Sequence, residues 1–344
     1  MYAARCRHLS PLLTGFQFTS TGGTSAVVDH GSNDFPSITC GAAGKVVAAQ
    51  QETACFNRGP VVVGSPGADV ADGGFAMFDT LPADGAITME LAGAAGSGDD
   101  GTGYVIAMGF GDADTDRFDD AQIVRTTIND GKLLGWRITN NGTVAVASGG
   151  LQASVARVST GIVTLTFSPG HPKIRSAKAT PINASCRAER ITSFDGDSIT
   201  VKITDEGGTV QDSDFTLLVL VSGNMDSSGG YRDPLRVPQL YPEIVCGRVL
   251  DTAGTPSITL GGATNGVDFA LTDNGVGDIT VTLTAPGLRT IVPVVTAKDN
   301  RAQLLLTPTL DVFRVGIFNA AAAATDDSFD FICLVYNADT AQEF

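Results

Sequence analysis

The sequence has few charged residues, few cysteines and a single tryptophan, and each shortage excludes a class of protein. Charged residues make up 17 % of the 344 residues against 43 % hydrophobic residues, which is too apolar for an intrinsically disordered chain. Six cysteines without any C-x-x-C pair argue against a zinc site and indicate folding in a reducing cytoplasm. No apolar run of about 18 residues occurs, so we expect no membrane-spanning helix.

Basic residues are also scarce. The 22 Lys and Arg residues against 37 Asp and Glu residues give a net charge of −15, which repels nucleic-acid phosphates at long range. The N-terminal stretch is locally basic, with Arg5, Arg7 and His8. We expect an extended arm here that docks on an acidic neighbour, with a degenerate secretion signal or a frayed terminus as alternatives.

The dominant pattern is that of β-strands separated by glycine-rich and acidic turns. Segments such as 162–167, 199–203 and 279–283 are rich in β-branched residues, and clusters such as 195–197 and 140–142 break them. The length favours two or three domains. These patterns predict an all-β protein of tandem antiparallel β-sandwich domains, of jelly-roll or immunoglobulin-like type, with an extended N-terminal arm.

An internal repeat supports the tandem arrangement. Residues 137–143, 160–166 and 213–219 form one ordered set of motifs, and residues 248–254, 276–282 and 329–335 form a second. The interval from Gly161 to Phe215 equals that from Gly277 to Phe331, which suggests duplication. A weaker third echo lies at 75–91. The predicted organisation is an arm and docking segment at 1–56, a divergent sandwich at 57–134, a repeat at 135–225, a Gly/Ser/Pro linker at 226–242 and a repeat at 243–344.

The repeated unit resembles the tandem β-sandwich repeats of bacteriophage virion proteins, including head-decoration and tail-fibre proteins. The resemblance rests on an opening Arg-Ile or Arg-Val strand, on the Thr-Gly-x-Val-Thr-Leu-Thr strand at 160–166, and on a closing Asp-Phe-x-x-x-Val strand at 214–219 and 330–335. It covers 135–223 and 243–338. It implies oligomeric modules exposed on a virion, and it brings no catalytic residues with it.

One acidic stretch is a candidate metal site. Asp112, Asp114, Asp116 and Asp120 place several carboxylates within reach of one hard cation such as calcium, although the stretch lacks the glycine and glutamate of an EF-hand loop. A solvated acidic loop and a contact between subunits are the alternatives. The glycine-rich segment 96–101 is followed by a strand-like run, so it indicates a hairpin and no dinucleotide site.

These observations predict a non-enzymatic structural protein on the surface of a bacteriophage particle, with a capsid decoration or cement protein as the first choice. Expected partners are the major capsid protein or other virion proteins and further copies of the chain, with no nucleic acid, membrane or cofactor other than the calcium considered above. The expected location is the virion, assembled in the bacterial cytoplasm. The alternatives are a tail fibre or adhesin that binds a host surface receptor, and a polysaccharide-degrading tailspike.

Overall fold

The computed structural model describes the sandwich strands and most of the turns at one end of each sandwich. The described residues are 12–21, 24–29, 37–42, 45–49, 61–67, 70, 74–78, 86–93, 95, 98–109, 131–140, 144–148, 153–167, 173–182, 186–191, 198–222, 243–251, 254–263, 269–284, 289–305 and 311–337. They form 24 strands in six four-stranded antiparallel sheets. The prediction of an all-β protein built from tandem β-sandwiches is confirmed.

The strands fall into three consecutive groups of eight, which we call modules 1, 2 and 3. Module 1 contains β1 (Leu12–Thr21), β2 (Thr24–Asp29), β3 (Ser37–Ala42), β4 (Lys45–Ala49), β5 (Val61–Pro66), β6 (Phe75–Phe78), β7 (Ala86–Ala92) and β8 (Thr102–Gly109). Module 2 contains β9 (Gly131–Asn140), β10 (Val144–Ser148), β11 (Ala153–Ser159), β12 (Ile162–Phe167), β13 (Lys173–Ile182), β14 (Cys186–Ile191), β15 (Ser198–Asp205) and β16 (Asp214–Ser222). Module 3 contains β17 (Glu243–Asp251), β18 (Pro256–Ala263), β19 (Phe269–Gly275), β20 (Asp278–Leu283), β21 (Arg289–Ala297), β22 (Arg301–Leu304), β23 (Val312–Phe318) and β24 (Phe329–Asn337).

All three modules have the same sheet topology. One sheet has its strands in the order second, first, eighth, fifth, as in β2-β1-β8-β5, and the other has the order third, fourth, seventh, sixth, as in β3-β4-β7-β6. The weak third echo in the sequence therefore marks a full third module. The first four strands of that module lie within 12–49, so the prediction that 1–56 forms an arm outside the sandwich is wrong for these residues.

The register of the sheets corrects the interval of the repeat. Phe215 pairs with Ile138 in module 2, and the residue that pairs with the matching Val249 in module 3 is Phe329. The interval from Gly161 to Phe215 therefore corresponds to that from Gly277 to Phe329, which is two residues shorter than the interval from Gly277 to Phe331. Phe329 and Phe331 are both buried and lie on the same face of β24, so a shift of two residues preserves the inward pattern.

The three modules pack around a common axis. The fifth strand of each module contacts the eighth strand of the next module in cyclic order, with β5 on β16, β13 on β24 and β21 on β8. The same three strands also contact one another. This arrangement has the connectivity of a pseudo-threefold trimer made from one chain.

Burial along the strands shows why the fifth strands lie at the centre. On β15 and β20 buried and partly exposed residues alternate, as in a strand with one face in a core. By contrast, every residue is buried along 62–66 in β5, 176–181 in β13 and 291–297 in β21. Both faces of each fifth strand are therefore covered, one by its own module and the other by its neighbours. One apolar cluster extends from module 3 to Val63 and Ile106 of module 1 and Leu218 of module 2.

Candidate functional site

The predicted calcium residues Asp112, Asp114, Asp116 and Asp120 lie outside the described residues. Within the described part of the chain, no three His, Cys, Asp or Glu side chains are grouped to hold a metal ion. The same part contains no helix long and apolar enough to cross a membrane. The charged and buried polar residues that could form a site lie at the turns of each module and on the pseudo-threefold axis.

The turns at one end of each module, which we call the hairpin end, share one construction. After the seventh strand the chain makes an isolated bridge, between Thr204 and Val210 in module 2 and between Phe318 and Ala324 in module 3. Two residues beyond each bridge comes an aspartate, Asp212 or Asp326. The bridge therefore fixes the place of this aspartate in the same way in both modules.

That aspartate binds the turn between the third and fourth strands. The amide of Gly161 donates to Asp212 Oδ1 at 2.7 Å, and the amide of Gly277 donates to Asp326 Oδ1 at 2.8 Å. Both glycines have positive φ, 62° and 64°, a region that disfavours other residues. The turn and its aspartate are thus a repeated structural device.

In module 2 an arginine neutralises this aspartate. Arg157 Nε donates to Asp212 Oδ1 at 3.2 Å and Arg157 Nη2 donates to Asp212 Oδ2 at 2.7 Å, a two-point contact. The hydrogen bond from Arg157 is the main cause that lowers the pKa of Asp212 and raises the pKa of Arg157. Asn140, at the end of β9, also lowers the pKa of Asp212. The aspartate of module 2 is therefore paired within its own module by Arg157, while Oδ1 and Nδ2 of Asn140 are buried without a hydrogen-bond partner.

In module 1 the corresponding aspartate accepts a hydrogen bond from a serine. Asp100 follows the bridge between Ala92 and Gly98, in the same position as Asp212 and Asp326. The hydroxyl of Ser20 donates to Asp100 Oδ1 at 2.6 Å. Ser20 occupies the position on β1 that Asn140 occupies on β9, by the register with the eighth strand.

Module 3 has acidic residues at all three positions. Asp251 replaces Asn140 at the end of the first strand, and Asp273 replaces Arg157, because Asp273 pairs with Ile279 as Arg157 pairs with Val163. Burial first, and the charges of Asp326 and Asp273 second, raise the pKa of Asp251. Asp251 is only 6 % exposed, and its Oδ1 atom is buried with no hydrogen-bond partner. We call the group of Asp251, Asp273 and Asp326 the acidic notch.

The pseudo-threefold axis is lined by equivalent hydroxyl residues. Ser65, Thr180 and Thr296 occupy the same position on the three fifth strands, and all three are buried. The Gly64 amide donates to Thr180 Oγ1 at 3.1 Å, and the Val295 amide donates to Ser65 Oγ at 2.9 Å. These bonds join module 1 to both of its neighbours, so the axis is held by polar as well as apolar contacts.

One residue breaks the symmetry of the axis. Lys178 is buried at a position that is Val63 in module 1 and Val294 in module 3. Its Nζ donates to the carbonyl oxygen of Val295 at 2.7 Å, across the boundary between modules 2 and 3. Burial lowers the pKa of Lys178 to about 7. Lys178 also lines a small pocket between the modules, together with Thr296, Asn300 and Arg301.

The three hairpin ends lie on the same side of the molecule. Arg301, at the start of β22, donates to the carbonyl oxygen of Glu206 in the turn of module 2. Gln303 Nε2 donates to the carbonyl oxygens of Gly67 and Val70 just after β5, at 3.0 and 2.7 Å. The hydrogen bonds thus tie module 3 to matching ends of modules 1 and 2.

No protein-family model, curated protein or solved structure matches this chain. The function must therefore be argued from the geometry above.

The acidic notch was not identified from the sequence. The signal was present, because aligning Gly161 with Gly277 places Arg157 opposite Asp273. The significance of the exchange depends on the sheet register and on the bridge that brings Asp326 to the same place, and neither follows from residue spacing. Lys178 was missed for a similar reason, since nothing local marks β13 as a strand buried on both faces.

Proposed function

We propose that this chain is a non-enzymatic structural protein on the surface of a bacteriophage particle, and that it acts as a capsid decoration protein. The observation that supports this is the cyclic packing of three modules of equal topology around one axis. The rest of the case is the resemblance of the repeats to those of phage virion proteins.

A pseudo-threefold body suits a place where three copies of another protein meet. Three modules of equal topology in one chain present three backbones of the same form in one fixed orientation, because the hairpin ends lie on the same side. Each module adds a contact without a new loss of translational freedom, so weak single contacts sum to firm attachment. Icosahedral shells provide such threefold sites in large numbers, which favours the capsid over a unique position on the particle.

The surfaces that hold the modules together are not available to a partner. The fifth strands are buried on both faces, and the apolar cluster runs between modules. Attachment to a shell would therefore use the hairpin ends or the outer sheets. The net charge of −15 favours a position outside the shell, away from the packaged genome.

The test is binding of the purified chain to capsids that lack it. Capsids from a phage in which the gene is deleted are mixed with increasing amounts of the chain, and the bound fraction is measured by sedimentation and located by cryo-electron microscopy. We expect saturation at one chain per threefold site and density with three lobes. Absence of capsid binding, together with binding to host cells or cleavage of host polysaccharide, would replace this proposal by an adhesin or a tailspike.

A further inference from the structure

We propose that the acidic notch of module 3, formed by Asp251, Asp273 and Asp326, is a binding site for an arginine side chain of a protein partner. The inference does not depend on the partner being a capsid protein. It depends on the comparison of module 3 with module 2, in which the same place is filled from within the chain.

Module 2 shows which chemical group fits this place. The guanidinium of Arg157 makes its two-point contact with Asp212 and also donates to the Thr160 hydroxyl at 3.2 Å. In module 3, Asp326 is held in the same orientation by the Gly277 amide. The residue that would supply the guanidinium is Asp273. Among the described residues, no cation takes the place of Arg157 beside Asp326.

A second observation points to a missing partner. Asp251 is more than nine-tenths buried and lies near enough to Asp326 and Asp273 for their charges to act on it. The amides of Gly254 and Thr255 bond to this carboxyl group, yet its Oδ1 atom has no partner. Oδ1 and Nδ2 of the equivalent Asn140 in module 2 also lack a partner, but that side chain carries no charge. A buried carboxylate oxygen without a donor is costly, and a cation with several N–H groups removes that cost.

The geometry favours a guanidinium over a metal ion. Metal ions need several oxygens converging on one point, and no group of three acidic side chains in the described residues does so. A guanidinium spreads its five donors over a plane and can bond carboxylates that are further apart. Asp273 already uses Oδ1 to accept the amide of Gly275 at 2.8 Å, which fixes it at the rim of the notch.

The surroundings favour an arginine that belongs to a protein. Leu250 is 43 % exposed on the face of β17 opposite to Asp251, and Val276, in the turn before Gly277, is 60 % exposed. Ile258 on the adjacent strand is exposed as well. Exposed apolar side chains on the same module as a site for arginine are typical of protein interfaces, where arginine is enriched and its aliphatic stem is covered.

The experiment is a titration of the full chain with N-acetyl-arginine amide, followed by NMR at the amides of Gly254 and Gly277. The matched ligand is N-acetyl-citrulline amide, which has nearly the same shape and no charge. We expect saturable shifts with the arginine compound and affinity at least about tenfold weaker with the citrulline compound. Equal affinity for the two compounds would overturn the proposal, as would shifts with calcium chloride and none with the arginine compound.

Variants make the test specific to the notch. Asp273→Arg copies module 2 and should close the notch, so the affinity for the arginine compound should fall by about tenfold or more. Asp251→Asn is nearly isosteric and should weaken binding without altering the turn. Asp299→Asn removes an exposed carboxylate that pairs with Lys298 at the same end of module 3, and it should leave binding unchanged. Unchanged binding in both notch variants, or equal loss in the control, would contradict the proposal.

Discussion

Modules 2 and 3 have the same turn at their hairpin ends, but the side chain beside it is basic in module 2 and acidic in module 3. Both end their seventh strand in the same bridge, and both use the following aspartate to bind the glycine of the opposing turn. Around this shared device module 2 places Asn140 and Arg157, and module 3 places Asp251 and Asp273. The hydrogen bond from the glycine amide to the aspartate is kept, and the contacts of the two flanking side chains are not. The difference indicates that the glycine and its aspartate serve the fold, while the flanking charges are free to serve another purpose.

The fifth strands offer a second contrast between modules. Val63 and Val294 lie at equivalent positions on the axis, and Lys178 occupies the third. The hydroxyls of Ser65, Thr180 and Thr296 keep the polar character of the axis in every module. The axis therefore tolerates a single buried amine without losing its threefold arrangement.

The largest expected effect is on the glycines of the shared turn. A Cβ at Gly161 would lie 2.6 Å from the carbonyl oxygen of Gln211, and one at Gly277 would lie 2.6 Å from that of Thr325. With positive φ added, Gly161→Ala and Gly277→Ala should each destabilise their module by about 3 kcal/mol in urea unfolding. Gly207→Ala, whose Cβ would meet only the Asp205 carboxylate at 3.3 Å, is the control and should cost little. Unequal losses for the two turn glycines would argue against their equivalence.

The next effect concerns Lys178 and should depend on pH. Its folded pKa of about 7 lies below the ordinary 10.5, so between these values the unfolded chain binds the additional proton. The free energy of unfolding should therefore rise with pH from 7 to 10.5 and level off below 7. Lys178→Met should raise stability at pH 7 by about 2 kcal/mol and remove this rise. A variant with the same pH profile as the parent chain would show that Lys178 is not buried.

Asp251→Asn should stabilise module 3, since asparagine is the residue that module 2 has at this position. The pKa of Asp251 is raised on folding, so its carboxyl group favours the folded state below the ordinary pKa of 3.8 and loses that contribution as pH rises through the folded value. The gain of the variant in urea unfolding should be about 1 kcal/mol at pH 7 and should vanish below pH 4. Asp299→Asn, outside the notch, should show no such pH dependence.

The smallest effect is expected for the ion pair of module 2. Arg157→Ala removes a partly exposed pair with Asp212, so the urea midpoint should fall slightly, by much less than in Gly161→Ala. The loss should shrink further in high salt, because the pair is screened. It should also shrink as pH falls through the lowered pKa of Asp212, where the carboxylate becomes protonated. A loss as large as that of Gly161→Ala would show that the arginine supports the fold.

Individual strands could be predicted from the sequence, but the packing of the three modules against one another could not. β12, β15 and β20 alternate β-branched and polar residues, and such strands with one buried face could be identified directly. The fifth strands could not, because Ser65 and Lys178 are polar residues in positions where contact with another module decides burial. The first four strands of module 1 were assigned to an arm because the locally basic N-terminal stretch was taken to represent the whole segment 1–56. The acidic notch requires residues from three separate strands and turns, and their proximity is a property of the register.

The central claim is that three equal modules in one chain pack around a common axis, and small-angle X-ray scattering tests it most directly. For 344 residues in one compact body the radius of gyration should be about 20 Å. Three modules with a radius of gyration of about 13 Å each, touching in a row, would give about 31 Å. A value near the first for the monomeric chain supports the account. A value near the second, with a scattering profile of separated domains, would contradict it.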